Sequence, residues 1–164
     1  MLFRSEEKQE YVRECTIETD LEVLLPDDYV TSVSERLLLY RELNDLTTDE
    51  ELAAYRSRLE DRFGPVPEAT VELINTIVLR RMAKEFGIEK IVLKQDRMVL
   101  HFPTNQQSPF YQSGNFMQVI KYAQEHPRSC RLKETPDRLT LSLENVRSIS
   151  QAISHLTPLI NPQA

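Results

Sequence analysis

The chain has 164 residues, 40% of them hydrophobic, and a formal net charge of −6. Such a length allows one large domain with a substantial core, and the hydrophobic content favours a folded protein over a disordered one. No apolar run approaches the roughly 20 residues that span a bilayer, and the charged N-terminus lacks the apolar segment of a secretory signal. We therefore expect a cytoplasmic protein without a membrane partner.

The charge is divided unevenly between the two halves of the chain. Residues 1–87 carry 11 Lys/Arg and 20 Asp/Glu, whereas residues 88–164 carry 9 Lys/Arg and 6 Asp/Glu. An acidic half does not favour phosphate backbones, and the basic half contains no run of Lys or Arg. We expect no tight direct binding to nucleic acid, and a protein partner with basic groups for the acidic half.

The first half predicts one strand and three helices. Residues 1–13 are charged without a clear period and predict a linker, and alternating apolar residues over 14–24 predict a half-buried strand. Helix-start patterns occur at Ser32 and Thr47, and the third helix ends near Gly87. The inward stripe expected on the first helix consists of Val33, Leu37, Tyr40 and Leu43.

The second half predicts two β-hairpins, each followed by a helix. IVLKQDRMVLHF (91–102) and CRLKETPDRLTLSL (130–143) align as Leu-Lys, a turn, Asp-Arg and an apolar alternation. Helical patterns follow around 116–124 and 146–156, the second with Asn145 as its N-cap. Duplication of a strand–strand–helix unit is our interpretation, with chance similarity between two amphipathic hairpins as the alternative. Together the halves predict an α+β fold whose antiparallel sheet is covered by helices.

Residue types that carry chemistry are sparse. None of the three glycines belongs to a phosphate-binding loop, and the three histidines lack the spacing of a zinc site. Two distant cysteines without a CxxC partner predict reduced thiols, buried or free. We expect no catalytic residue, no metal and no cofactor in this chain.

The junction DRFGPVP (61–67) has the composition of a turn between helices. Gly64 suits the left-handed position after a helix, Pro65 prevents continuation, and Pro67 can open the next helix. Phe63 is expected in the core. These residues, with Arg62, form the structural part of the junction.

Glu60 and Asp61 are not explained by a turn alone. Both acids lie at a helix C-terminus, where the helix dipole disfavours negative charge. An internal salt bridge, with Arg62, Arg56 or Arg58 offsetting the cost, is one explanation. The other is a cation on a docking partner.

Three ordered motifs support the second explanation. LPDDYV (25–30), ERLLLYREL (35–43) and LEDRFGPVP (59–67), followed by FGIEKI (86–91), resemble the C-terminal domain of the bacterial transcription-repair coupling factors (Mfd). The resemblance covers about residues 14–160. It implies a regulatory domain, with 1–13 as the remnant of a connection to an upstream motor and 161–164 as a tail.

The family resemblance also implies partners. Members are large proteins in which an ATP- and Mg-dependent DNA translocase releases stalled RNA polymerase, and a UvrB-like module recruits UvrA. The C-terminal domain packs on that module and hides its UvrA-binding surface. Glu60 and Asp61 would then form a docking edge, although Arg58 stands one turn earlier, where an acid would suit such a contact better.

Two other function classes stay open. Paired strand–strand–helix units often bind ligands between them, so a small-molecule-sensing regulatory α+β domain is the alternative. An independent hydrolase that uses a cysteine or a histidine is the third possibility.

Overall fold

The computed structural model describes residues 10–162. Its strands are β1 (Thr16–Thr19), β2 (Lys90–Lys94), β3 (Arg97–His101), β4 (Cys130–Thr135) and β5 (Arg138–Glu144). Its α-helices are α1 (Val33–Asp45), α2 (Asp49–Phe63), α3 (Glu68–Phe86), α4 (Gly114–Glu125) and α5 (Ile149–Ile160), and a 3-10 turn spans Pro109–Gln112. The predicted α+β fold, with its element order, is confirmed.

All five strands form one sheet in the order β1-β2-β3-β5-β4. The two hairpins lie side by side because β3 pairs with β5, and every pairing is antiparallel except that of β1 with β2. The N-terminal strand is shorter than the predicted 14–24. Its chain bends after Thr19, whose hydroxyl accepts a hydrogen bond from the Leu21 N–H, and Leu24 N donates to Ala69 O instead of to a strand.

The two hairpins have turns of the same length, two residues each, with different backbone conformations. Lys94 pairs with Arg97 across the first turn, and Thr135 pairs with Arg138 across the second. The Asp-Arg pairs therefore align as predicted, whereas the Leu-Lys alignment is wrong by two residues. Gln95 and Asp96 both have positive φ, 53° and 61°, which is typical of a two-residue hairpin turn. The turns are therefore shorter than the sequence alignment implied.

Helix α3 joins two cores. Between the sheet and α3–α5 lies the larger one, to which α3 contributes Leu79, Ala83 and Phe86. Ile74 and Ile77 lie in the smaller core with side chains of α1, α2 and the segment before α1. A single helix that serves both cores ties the helical half to the sheet half.

The predicted division at residue 14 remains a prediction. Val12 is buried and Tyr11 packs edge-on against Phe110, so contact with the sheet core begins before that residue. The remainder of the predicted linker, 1–9, and residues 163–164 of the predicted tail lie outside the described residues.

Ser32 caps α1 as predicted, and the starts of α2 and α5 differ from the predictions by one to three residues. Thr48, rather than Thr47, caps α2 and forms a reciprocal capping box with Glu51. Ser148, rather than Asn145, caps α5. Asn145 instead adopts a positive φ of 59°, a conformation that Asn tolerates, in the turn that leads from β5 to the helix.

Candidate functional site

The DRFGPVP junction connects α2 to α3. Gly64 has φ +91° and ψ −167°, and its N–H donates to Glu60 O at 3.0 Å. The positive φ is as expected, but the ψ corrects the predicted left-handed helical position, because this extended region is accessible essentially to Gly alone. Pro67 is the N-cap and α3 begins at Glu68, so Pro67 precedes the helix rather than opening it.

Tyr29, from the LPDDYV motif, closes the C-terminal end of α2. Its hydroxyl oxygen lies 3.1 Å from Leu59 O and 2.9 Å from Gly64 O, so the O–H donates to carbonyls on both sides of the helix end. The ring lies 5.7 Å from that of Phe63. Burial, with the nearby Glu60 carboxylate as a smaller cause, raises the pKa of the Tyr29 phenol.

Arg62 joins the junction to α1. Its guanidinium forms an ion pair with Glu35 and lies 5.1 Å from the centre of the Phe63 ring. Phe63 itself is half-buried against the smaller core, as expected. Arg62 therefore binds α1 and not the acids beside it.

The ERLLLYREL motif completes this connection. The Arg36 guanidinium donates to Val30 O at 2.6 Å, and the Tyr40 hydroxyl accepts from Leu25 N at 2.7 Å. Together with Tyr29 and Arg62, these contacts make the three sequence motifs one connected structure around α1 and the end of α2.

Glu60 and Asp61 remain exposed in the last turn of α2. Arg58 pairs with Glu42 on α1, and Arg62 with Glu35. Within residues 10–162, neither Glu60 nor Asp61 has a cationic partner within 4.0 Å, so the internal salt bridge expected as one explanation is not formed there. Asp61 borders a shallow groove of about 350 Å³ between α1 and α2.

Three apolar side chains of α1 are exposed. Val33, Leu37 and Leu38 are 61%, 60% and 61% exposed. The prediction that Val33 and Leu37 face inward is wrong. Tyr40 and Leu43 of the same predicted stripe do pack into the smaller core, and Leu39 packs with them. The cause is the run of three leucines at 37–39, which places apolar groups on several sides of the helix, so that spacing alone does not identify the buried side.

Leu38 is the exposed apolar residue that lies beside the contacts between α1 and α2. On a helix, it neighbours Glu35 three residues earlier and Glu42 four residues later. Those two glutamates bind Arg62 and Arg58 of α2. We call Leu38 and Asp61, together with these two ion pairs, the α1–α2 surface. Val33, Leu37 and Glu60 are also exposed, but the helical step turns each of them by about 160° from the ion pairs.

Side chains suited to catalysis or metal binding are not brought together. Among residues 10–162, no group of three or more His, Cys, Asp or Glu is placed to hold a metal ion. Cys15 and Cys130 are free and buried, and burial raises the pKa of the Cys15 thiol to about 12 and raises that of Cys130 as well. None of the described helices is long and apolar enough to cross a membrane.

Comparison with known proteins assigns the family. A family model described as the TRCF domain matches residues 19–113, which is more than half of the chain. The chain belongs to the transcription-repair coupling factor family. The match includes all three motifs and the α1–α2 surface, which is therefore part of the TRCF domain.

Similar full-length proteins extend well beyond this chain. The transcription-repair-coupling factor of Escherichia coli K12 is 31% identical over 124 residues, which are 75% of this chain and 10% of that protein. The factor of Borreliella burgdorferi is 25% identical over 149 residues, 90% of this chain and 13% of that protein. The chain thus spans about a tenth of the length of these relatives.

A solved structure confirms the fold. The crystal structure of a C-terminal domain of transcription-repair coupling factor matches with a TM-score of 0.71 and 14% identity, covering 90% of this chain and 88% of that one. Because it covers 90% of the chain, this structural match extends beyond the residues that the TRCF-domain model matches.

Proposed function

We propose that the chain is a non-catalytic docking domain of a transcription-repair coupling factor. It packs on the UvrB-like module of the longer protein, hides the UvrA-binding surface and restrains the ATP-driven DNA translocase until RNA polymerase is engaged. The observation that carries this proposal is the α1–α2 surface: the acids at the end of α2 have no cationic partner among the described residues, and Leu38 is exposed beside the ion pairs that join α1 to α2.

The position of the acids supports a contact with external cations. Negative charge at a helix C-terminus costs about 0.3–1 kcal/mol at an exposed site. Arg58 and Arg62, the arginines nearest in sequence, are engaged by glutamates of α1. An arginine of the partner module would compensate Asp61 and form the paired hydrogen bonds that guanidinium and carboxylate favour.

Exposed Leu38 supplies an apolar part of the interface. A protein–protein contact has an apolar core and a polar rim. On the α1–α2 surface, Leu38 would form part of that core, with Asp61 at its rim. Leu38 then provides burial, and Asp61 selects a basic partner.

Weak binding suffices for a partner in the same polypeptide. Because the chain spans about a tenth of its relatives' length, the partner module can belong to the same protein. A flexible connection raises the effective concentration of the two modules to the millimolar range. A contact with a dissociation constant of about 10 µM would therefore be closed in nearly all molecules, yet could open when polymerase binds.

The catalytic work falls to the rest of the protein on this proposal. ATP and Mg would bind the translocase, while this domain holds no cofactor, hydrolyses no ATP and acts in the cytoplasm. The purified chain should show no ATP turnover above buffer, in a coupled assay with and without duplex DNA. Robust turnover would contradict the proposal.

A small-molecule sensor is the second candidate, and one groove favours it. The groove holds about 480 Å³ between α4 and the second hairpin, with Phe116, Ile120, Leu132 and Leu139 among its lining residues. Its volume is within the range of ligand pockets. A thermal-shift screen with metabolites tests this candidate, and a Phe116→Ala variant should abolish any stabilisation that is found.

Direct binding tests the docking proposal. The purified chain is titrated calorimetrically with the separately produced UvrB-like module, using wild type, Asp61→Arg, Leu38→Ser and the control Asp137→Arg. Asp137 is an exposed acid in the β4–β5 turn, so the control makes the same charge change away from α1–α2.

The two interface variants should weaken binding at least tenfold, equivalent to about 1.4 kcal/mol, whereas the control should bind like wild type. Equal affinities for all four proteins would refute the proposed surface. So would the absence of any wild-type binding at several hundred micromolar.

A further inference from the structure

The sheet has one face that no helix of residues 10–162 covers. Side chains alternate between the faces of a strand, and the larger core takes Leu139, Leu141 and Leu143 of β5 on the helical side. The opposite side chains of the last hairpin are Arg131, Lys133 and Thr135 on β4, and Arg138, Thr140 and Ser142 on β5. We call these six residues the basic hairpin face.

Strand register brings the six residues into three rows. Arg131 lies opposite Ser142, Lys133 opposite Thr140, and Thr135 opposite Arg138. Each row therefore joins one cation to one hydroxyl. All six side chains donate hydrogen bonds, and none carries negative charge.

The cations of the basic hairpin face lack carboxylate partners among the described residues, unlike the cations of the neighbouring strands β2 and β3. Lys90 and Lys94 pair with Glu18, and Arg97 pairs with Glu144. Within residues 10–162, no carboxylate lies within 4.0 Å of the cationic groups of Arg131, Lys133 or Arg138. Of the acids in the same hairpin, Glu134 alternates to the helical side and Asp137 lies in the turn. Glu144 is on the open face, where it pairs with Arg97.

Arg138 contacts a histidine on the same open face. Its guanidinium donates to Nδ1 of His101 at 3.0 Å, so His101 accepts through that nitrogen in its neutral form. Burial, then the charges of Arg138 and Lys90, lower the pKa of His101. The histidine therefore reports on the electrostatic potential beside the basic hairpin face.

We propose that the basic hairpin face binds the phosphate backbone of double-stranded DNA without regard to sequence. Arg, Lys, Ser and Thr are the side chains that commonly contact phosphate oxygens. Residues two apart on a strand, such as Arg131 and Lys133, lie about 6.6 Å apart, so the two cations contact separate phosphates. The three rows thus present three cations and three hydroxyls to one stretch of backbone.

The side chains of this face favour binding of a DNA duplex over binding of single strands. Single-strand binders stack successive bases on aromatic side chains. The outward residues of the described strands include no Phe, Tyr or Trp; Val92 and Val99 occupy the centre of the face instead. Without a stacking surface, the contact is limited to the phosphates, which a duplex presents in a regular array.

The expected binding is weak and depends strongly on salt. Non-specific DNA binding typically has dissociation constants of 10⁻⁴ to 10⁻⁶ M at physiological salt, and three phosphate contacts give a log–log salt slope of about −2.7. The net charge of −6 opposes the approach of DNA and places this domain at the weak end of that range. Such binding is compatible with the expectation that tight binding is absent.

Fluorescence anisotropy with a labelled duplex of about 20 base pairs tests the proposal. The experiment compares wild type with the triple variant Arg131→Gln, Lys133→Gln, Arg138→Gln over a range of salt from about 20 to 200 mM. A control triple variant, Arg41→Gln, Arg56→Gln, Lys121→Gln, removes the same charge from exposed helical positions.

Wild type and the control should bind with the same affinity and a salt slope near −2.7. The face variant should bind much more weakly and with a salt slope near zero, because removing one cation that binds a phosphate reduces the slope by about 1. In a parallel NMR titration of wild type, duplex DNA should raise the pKa of His101, since added negative charge favours the imidazolium.

Three results would overturn the proposal. One is equal binding by the face variant and the control, once circular dichroism shows both folded. Another is a preference for single-stranded DNA over the duplex. Tighter binding to polyglutamate than to the duplex would instead assign the face to an acidic protein. Because Asp61 and Leu38 are unchanged in the face variant, a failure of the DNA-binding proposal does not affect the docking proposal, which the calorimetric titration tests separately.

Discussion

Substitution of each glycine by alanine separates backbone strain from packing in this fold. Gly64 has φ +91°, and a Cβ there would have no atom within 4 Å. Gly87 has φ +114°, and its Cβ would lie 2.6 Å from Cδ2 of Phe110. Gly114 has ordinary backbone geometry and open space around it. An alanine would therefore introduce backbone strain alone at Gly64, strain together with overpacking at Gly87, and neither at Gly114.

These geometries set an order of stabilities. Gly64→Ala should cost about 1–3 kcal/mol, the range for a residue held in a sparsely populated backbone region. Gly87→Ala should cost a further 1–3 kcal/mol, roughly, for overpacking, because Phe110 is fully buried and packs against Phe86 and Phe102. Gly114→Ala should be neutral or stabilise by up to about 1 kcal/mol.

Thermal unfolding followed by circular dichroism measures the series. For a domain of this size, 1 kcal/mol shifts the melting temperature by about 2–4 °C. We therefore expect a drop of roughly 2–12 °C for Gly64→Ala, a larger drop for Gly87→Ala, and none for Gly114→Ala. Equal melting temperatures for Gly64→Ala and Gly114→Ala would refute the backbone conformation assigned to Gly64.

Three other predictions follow from single side chains. Tyr29→Phe removes the O–H that serves Leu59 O and Gly64 O and should cost about 1–3 kcal/mol, seen as a lower midpoint in urea; an unchanged midpoint would mean that water replaces the phenol without cost. The lowered pKa of His101 means that the unfolded chain binds its proton first, so stability should fall as pH drops below the unfolded value of about 6.5. Replacing His101 by Gln should make that decline shallower, and equal slopes in wild type and variant would contradict the assignment. Because burial raises the pKa values of Cys15 and Cys130, a thiol reagent at pH 7.5 should label both slowly in the native protein and rapidly in urea, whereas rapid native labelling would show that the thiols are accessible.

The sequence predicts the elements of this fold better than their orientation. Period-two alternation identified the second hairpin, where buried Leu139, Leu141 and Leu143 alternate with polar residues, and short apolar runs on either side of a turn identified the first. The same approach misassigned Val33 and Leu37, because apolar residues surround α1 on several sides. Which side is buried depends on α3 and the segment before α1, and these contacts are not local in sequence.

The two candidate surfaces differ in how far the sequence could identify them. Glu60 and Asp61 are adjacent in the chain and lie beside a helix stop, so their unfavourable position is visible without a structure. The basic hairpin face is not visible, because its cations are separated by Leu132 and by a turn that contains an acid. Only the alternation of side chains and the β4–β5 register place Arg131, Lys133 and Arg138 together.

The central claim is that the α1–α2 surface keeps the UvrB-like module closed, and UvrA binding to the longer protein measures this directly. Asp61→Arg is introduced into the full-length factor, and UvrA is titrated against wild type, the variant and the control Asp137→Arg, with circular dichroism to verify folding. Weakening the docking interface by about 1.4 kcal/mol raises the open population tenfold. We expect UvrA to bind the Asp61→Arg factor at least several-fold more tightly than it binds wild type or the control. Equal UvrA affinity for all three folded proteins would remove Asp61 from the interface and leave DRFGPVP as a turn between two helices.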